Sequence, residues 1–465
     1  MASMGRRASA IGVLIVLCLA LVSCEAKGRG GRGRARGGGG GKRGIIPIVG
    51  GRGGGGGGGG RPSIVMGKEF NVLQFGAMPG GRDDSTQAFM QAWVAACTYP
   101  SAARVVIPPG VFKVSEVIFA GPCKSPIVVQ VSGTVKADSD LSNYPDKGWI
   151  TITHVDGVTV LGGGTLDAQG PNVWKYNDCK GNSNCVHLPA TLYLMNVKNA
   201  RIQWIHLVNS MGFHMHITQC ENLRINHLDI TAPGDSPNTD GIHVSKSQFV
   251  KIGTTNIATG DDCVSIGQGS TNVTVKKVFC GPGHGISVGS LGKLPNEMDV
   301  RGVLVRNCTL TGTTNGVRIK TFAASGPSKA SAIVFGNIVM NNVLNPVIID
   351  QSYGGGSTSK VSFFTTTKAI FVTRGMIFDS DILKFITKRC YFVQPSLVKI
   401  SDVTYQDIRG TTATPVAVNL MCSKSAPCQN LRFINIKLKS SAGIISACTN
   451  AQVGYTGLQN PPPCR

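Results

Sequence analysis

Asp240, Asp262 and His284 stand 22 residues apart, each in a short block flanked by glycine: Asn238-Thr239-Asp240-Gly241, Gly260-Asp261-Asp262-Cys263 and Gly283-His284-Gly285. If one period is one turn of a stacked coil, these groups are neighbours in space. Three crowded carboxylates repel, and their pKa values move apart. One then holds a proton while another stays ionised, which is what acid/base hydrolysis needs. His284 would tune the acid's proton. Asn238 and Asp240, two apart, would share one face of a strand. Asp261 and Asp262 are adjacent, and Gly260 offers a bend that presents both to one groove. Arg318 and Lys320 are also two apart and offer positive charge to a substrate carboxylate.

Each block has a plainer reading. An Asp beside Gly is commonly a turn or Asx cap, Gly-His-Gly a tight turn, and Arg-x-Lys a solvated strand face. Only the joint register favours chemistry. His206, His214, His216, His227 and His243 lack that support and read as structural.

The elements that must position these residues are β-rich repeats. Asn199, Asn222, Phe249 and Asn272 lead similar stretches, with later copies near Val303, Ala332, Leu397 and Leu431. Each has alternating apolar residues, a bend and a second short strand. A period in the low twenties marks a solenoid, with rungs about 4.8 Å apart. The fold expected is all-β, a right-handed parallel β-helix; a β-sandwich is the runner-up. Phe70–Phe75 alternates as a first strand. Asp83, Asp84 and Ser85 are N-cap candidates for a helix through Cys97, with Phe89, Trp93 and Ala96 on one face. Such a helix would cap the solenoid's open end.

The rest of the 465-residue chain sets the context. Arg6 and Arg7 precede an apolar run, Ala10 to Val22, so residues 1–26 read as a secretory signal. A retained membrane anchor is the alternative. Residues 27–67 form a Gly/Arg-rich segment expected to be disordered; 20 of the 36 residues in 27–62 are Gly. Residues 68–465 are the expected catalytic domain, interrupted by 354–393, which break the rhythm and read as an insertion or a retained intron. Export fits the 15 Cys. Cys422/Cys428, Cys448/Cys464 and Cys179/Cys185 are candidate local staples, and Cys263/Cys280 would join adjacent coils. No Cys-x-x-Cys pair or His-rich cluster points to a metal, so no cofactor is expected. Net charge is +22, of which residues 1–62 hold +10 (11 Lys/Arg less one acid). A basic exported body suits a polyanion; pectin and nucleic acid both qualify on charge. Asn272 and Asn307 begin glycosylation sequons.

Ser236-Pro237-Asn238-Thr239-Asp240-Gly241, Gly260-Asp261-Asp262-Cys263, Gly281-Pro282-Gly283-His284-Gly285 and Arg318-Ile319-Lys320 resemble, in order and spacing, the four signature blocks of polygalacturonases, glycoside hydrolase family 28. Gly121–Pro126 and Lys175–Cys179 are similar to the plant pollen-type exopolygalacturonases. The resemblance implies metal-free, inverting hydrolysis of galacturonan in the plant cell wall by a monomer, with neither nucleic acid nor membrane as a partner. It makes Asp261 the general acid, gives the water to Asp240 and Asp262, and has His284 support the acid's proton. Arg318 and Lys320 would bind a galacturonate carboxylate, with Asn238 and Tyr353 lining the groove. The family has Cys after that tyrosine, whereas this chain has Gly354. Three alternatives stay open: a pectate lyase needing Ca²⁺, a catalytically impaired wall-binding β-helix, and RNA binding through the Arg/Gly tail.

Overall fold

The computed structural model describes residues 67–178, 185, 188–354 and 395–464. The signal, the Gly/Arg-rich segment, residue 179 of the Cys179/Cys185 pair and almost all of 354–393 lie outside the described residues. Ser63–Arg465 forms one compact unit. Its strands pair in parallel throughout, in one sheet of 19 strands and one of 11. This is the expected right-handed parallel β-helix.

Corners turn the chain between faces. The repeat leaders Asn199, Asn222, Phe249 and Asn272 all have φ between 53° and 58°, the left-handed region. Asn tolerates that region better than most residues. Side-chain amides then bond from coil to coil, Asn222 Nδ2 donating to Asn199 Oδ1 at 2.6 Å. A second set of left-handed residues, Trp204, His227 and Thr254, bends each coil again. The strand Gln248–Ala258 passes through such a bend and pairs on both sides of it, which merges two faces into the larger sheet.

Alternation fills the interior with Val, Ile and Leu. Ile202, Ile225, Ile252 and Val275 form one buried inward row, paired coil to coil. The period itself varies from coil to coil. Met215 pairs with Ile242, Ile242 with Val264, Val264 with Ile286 and Ile286 with Val317, so the middle two steps are equal while the first is longer and the last longer still. Loops absorb the difference while strands keep register.

The first turn differs from expectation. Only Lys68–Asn71 is a strand; Val72–Phe75 is a 3₁₀ turn, started by Asn71 Oδ1 accepting from Leu73 N–H at 3.1 Å. Helix α1 (Thr86–Thr98) buries Phe89, Trp93 and Ala96 as the stripe predicts. Ser85 holds the N-cap position without a side-chain cap; Asp84 Oδ1 instead accepts from Thr86 N–H at 2.8 Å. Trp93 stacks on Phe119 at 4.6 Å, and its Nε1–H donates to Ala120 O at 2.9 Å.

Cys263–Cys280, Cys422–Cys428 and Cys448–Cys464 pair as expected. Cys97–Cys123 adds a bridge that the local spacings do not suggest; it ties α1 to the loop after Val117–Ala120. Its partners are 26 residues apart, close to one coil, so the coil period was the signal for it.

Trp93 is buried, stacked and hydrogen-bonded, so Trp93→Ala leaves a cavity at the open end of the solenoid. We expect a loss of about 3–5 kcal/mol in urea unfolding; a change under about 1 kcal/mol would mean α1 does not hold that end.

Candidate active site

The site lies on the 11-stranded sheet. Five of its strands matter here: β1 (Met215–Thr218), β2 (Ile242–Ser245), β3 (Val264–Ile266), β4 (Ile286–Leu291) and β5 (Asn315–Phe322). Ile242, Val264 and Ile286 are aligned partners, and Asp240, Asp262 and His284 each sit two positions before them. Backbone bonds carry that register through the loops: Gly241 N–H donates to Asp262 O at 2.9 Å and His284 N–H to Asp261 O at 2.8 Å. The three groups are therefore brought together as their spacing requires.

Asp262 is fully buried and fully engaged. Its Oδ1 accepts from Arg318 Nη2 at 2.6 Å and Ser287 Oγ at 2.8 Å; its Oδ2 accepts from Lys320 Nζ at 2.7 Å. Arg318 and Lys320 share the outer face of β5, while Val317 and Ile319 face the core. The sequence turns both cations toward a substrate carboxylate; in the structure both close on Asp262. A buried carboxylate without such partners would be very costly. Burial works most strongly against the Lys320 ammonium, but Asp262, Tyr353 and Asp240 together outweigh it and raise the pKa.

Asp261 is more open, with its side chain 20% exposed against 1% for Asp262. Its Oδ1 accepts from His284 Nδ1 at 2.8 Å and Asp262 N–H at 2.7 Å. Oδ2 has no hydrogen-bond partner among the described residues, so its lone pairs are free for a ligand. Burial pushes this carboxyl up, but the His284 bond and charge, then Lys320, hold it below the usual range. Asp240 goes the other way. Burial first, then the charges of Asp261 and Asp262, hold it well above the usual carboxylate range. Its Oδ2 accepts from Ser265 Oγ at 2.6 Å. The carboxylates split as crowding dictates.

One local reading needs correction. Asn238 and Asp240 do not share a strand face. Both precede β2 in the segment that turns at Pro237 and Asn238; Asn238 is exposed with φ 55°, while Asp240 is buried. Gly260 does sit in the expected bend, and it matters for space as well: a Cβ there would lie 2.0 Å from Ser236 O on the preceding coil. Tyr353 does stand at the site, its ring 4.9 Å from Lys320 Nζ and 5.9 Å from Arg318 Cζ.

Other members do not stand out in the sequence. His243, Ser265, Ser287 and Arg318 are successive rungs of one ladder. His243 Nδ1 lies 2.8 Å from Ser265 Oγ. Ser265 Oγ thus links His243 Nδ1 to Asp240 Oδ2. Burial, aided by Lys320, lowers the His243 pKa to about 4, and burial with the charges of His243 and Lys147 lowers His216 to about 3. Both rings are neutral near pH 7 and extend the site with Phe213, 5.0 Å from His243 and 5.5 Å from His216. The same step that leads from Asp240 to Asp262 leads from His243 to Ser265 and on to Ser287, a signal available in the sequence. His214 is structural, as its lack of a partner block suggests: it is buried, with Nδ1 3.2 Å from Asp240 O.

Donor atoms of Asp261, Asp262 and His284 lie within 4.8 Å of one another and could hold a cation. Yet Asp262 already has both oxygens on Arg318 and Lys320, so its charge is neutralised and the set fits a metal poorly.

A right-handed parallel β-helix carrying a carboxylate trio of split acidity has the makings of an acid/base hydrolase. The family model for glycosyl hydrolases family 28 matches residues 97–374 and 356–457. An exopolygalacturonase of Platanus acerifolia is 42% identical over 399 residues, 85% of this chain and 97% of that one. An exopolygalacturonase of Arabidopsis thaliana is 40% identical over 428 residues, 90% and 91% respectively. The crystal structure of a hyperthermoactive exopolygalacturonase from Thermotoga maritima superposes with a TM-score of 0.68 at 19% identity, covering 85% of this chain and 92% of that one, a likeness of fold. The chain belongs to glycosyl hydrolases family 28.

Asp240 gives a test by pH. An Asp240 pKa raised in the folded chain means that the folded state holds an extra proton between the unfolded and folded values, so stability falls as pH rises through that window. Asp240→Asn removes this loss. Its melting temperature should gain on the parent's as pH climbs from 4 to 7; an advantage that does not change with pH would mean that Asp240 is not held protonated.

Proposed function

We propose that the chain hydrolyses α-1,4-galacturonosyl linkages of pectin, releasing single residues from the non-reducing end, outside the cell in the plant wall. The observation that carries the reading is one open carboxyl, Asp261, beside one buried and doubly paired carboxylate, Asp262, with Asp240 held near. The names of the plant relatives support the polymer and the exo mode.

In this reading Asp261 protonates the glycosidic oxygen from Oδ2. It starts below the usual range, so it must gain a proton first. A uronate entering beside it adds negative charge and raises its pKa. His284 hands over or holds that proton through Nδ1. Asp240 and Asp262 hold the attacking water; Asp240 first releases its own proton to solvent and then takes one from that water as the new carbon–oxygen bond forms and the glycosidic bond breaks. Arg318 and Lys320 hold Asp262 in place and present their remaining N–H groups, with the Tyr353 ring, to the sugar carboxylate. Asn238 lines the exposed rim. Asp261 and Asp262 are closer than the about 6.5–9.5 Å usual for inverting pairs. Two acids jointly holding one water account for inversion at the shorter distance.

Product analysis on polygalacturonate tests this. We expect galacturonic acid from the first minutes, its anomer inverted by NMR, with the rate unaffected by chelator. Asp261→Asn should lower kcat about 10²–10⁴-fold. Unsaturated, UV-absorbing ends that need Ca²⁺ would replace hydrolysis by lyase chemistry.

A second reading concerns residues 354–393. Val300 pairs with Ala330, but Ala330 pairs with Ile400, a step more than twice as long. The excess matches the length of 354–393, and coils on either side pair directly: Gln351 Nε2 donates to Val398 O at 2.8 Å. This supports an insertion that the coil closes without, beside Tyr353 at the groove edge, and an activity impaired in the chain as written. Deleting 354–393 should raise soluble yield and turnover together; no gain in either would remove the idea.

A further inference from the structure

Away from the cleft, on the 19-stranded sheet, one surface repeats a pattern over successive coils. Arg201 pairs with Arg224, Arg224 with Lys251, and Lys251 with Thr274, giving three exposed cations on successive rungs about 4.8 Å apart. Among the described residues none of the three is in an ion pair. Lys276 and Lys277 are exposed on the next coil. Just beyond each cation comes the left-handed corner, occupied by Trp204, His227 and Thr254. Trp204 and His227 stack with ring centroids 4.0 Å apart at 11°. On the preceding coil that rung is Gly163, whose N–H donates to Trp204 O and whose missing side chain would have met nothing within 4 Å. Trp204 is 47% exposed and Phe279 57%.

The corner is concave. A groove of about 380 Å³ runs along it, lined by Gly163, Trp204, His206, His227, Asp229 and Asn256. Its one acid is engaged: Asp229 lies 3.4 Å from His206 Nδ1 and accepts from Asn256 Nδ2 at 2.6 Å. Polar groups that bond hydroxyls thus sit beside an indole, and the row of cations stands three residues before it on the same coils. An indole offers a large apolar face with a polar N–H, the combination that suits a binding surface with one dry and one wet side.

We propose that this groove is a non-catalytic anchor for an acidic polysaccharide, a uronan, with sugar rings on Trp204 and uronate carboxylates on Arg201, Arg224 and Lys251. The proposal rests on the galacturonan reading for the choice of polymer. Charge complementarity carries it: a uronan presents one carboxylate per sugar, and the cations form an equally regular row. Arg takes a carboxylate bidentately. A second point of attachment holds a long chain near the cleft and adds avidity for polymer, while short oligomers gain nothing.

The test uses the full chain and two variants, Trp204→Ala and the double variant Arg224→Ala/Lys251→Ala, with Trp204→Phe as the ring-retaining control. Affinity electrophoresis in gels containing polygalacturonate reads polymer binding; turnover of a trigalacturonide reads the cleft. We expect both variants to weaken polymer binding about tenfold or more, trigalacturonide kcat/KM to stay as in the parent, and Trp204→Phe to recover most of the binding. The exposed double variant keeps the test alive should Trp204→Ala fail to fold. Unchanged retardation in the double variant overturns the proposal. So does stronger retardation by a single-stranded RNA, lost in the same variants, which would make the groove a nucleic-acid surface. A parent that binds the polymer without cleaving it defeats the hydrolase reading and leaves the anchor standing.

Discussion

Backbone hydrogen bonds run from each coil to the next, and every other feature is hung on them. A parallel rung fixes not only the paired strands but also the loops just ahead of them, because Gly241, Cys263 and His284 continue the ladder past the strand ends. Side chains in those loops are held to the spacing of the stack. A loop elsewhere could drift; these cannot without breaking rungs that have no water to replace them.

On that frame the electrostatics follow from crowding. Three carboxylates and two cations meet in a region largely closed to water. Asp262 takes both cations, the arrangement that makes a fully buried anion tolerable. Asp261 takes His284 and keeps one oxygen unpaired among the described residues. The Asp240 carboxyl has only the Ser265 hydroxyl as a partner and is pushed well above the usual carboxylate range by burial and its acidic neighbours. Three chemically identical groups thus become three different ones, through partners alone. The close approach of Gly260 to Ser236 O shows how little room is left between coils for this arrangement.

The corners explain both the irregular period and the second surface. Strands must match in length to pair, whereas corners only have to turn. Left-handed residues do so at many positions, and loops of different length bulge outward between them. Corner side chains stack from coil to coil regardless of type, so a Trp and a His can meet face to face outside any core.

The sequence by itself determined the fold class, the residues that lead the repeats and the proximity of Asp240, Asp262 and His284. These follow from residue type and spacing, since register converts a period into a distance; Arg318 and Lys320 come one longer coil later, and only resemblance to a family block pointed to them. The tertiary structure decided what spacing leaves open. Which acid the two cations pair with, which carboxyl stays open and which is neutral depend on side-chain direction and burial across coils. His243 and Ser265 joined the site through a rung whose step is present in the sequence but whose residue types do not single it out. Asn238 left the strand face assigned to it because Pro237 and the turn before β2 were stronger than alternation. Local rules see one coil at a time, and this site is made between coils.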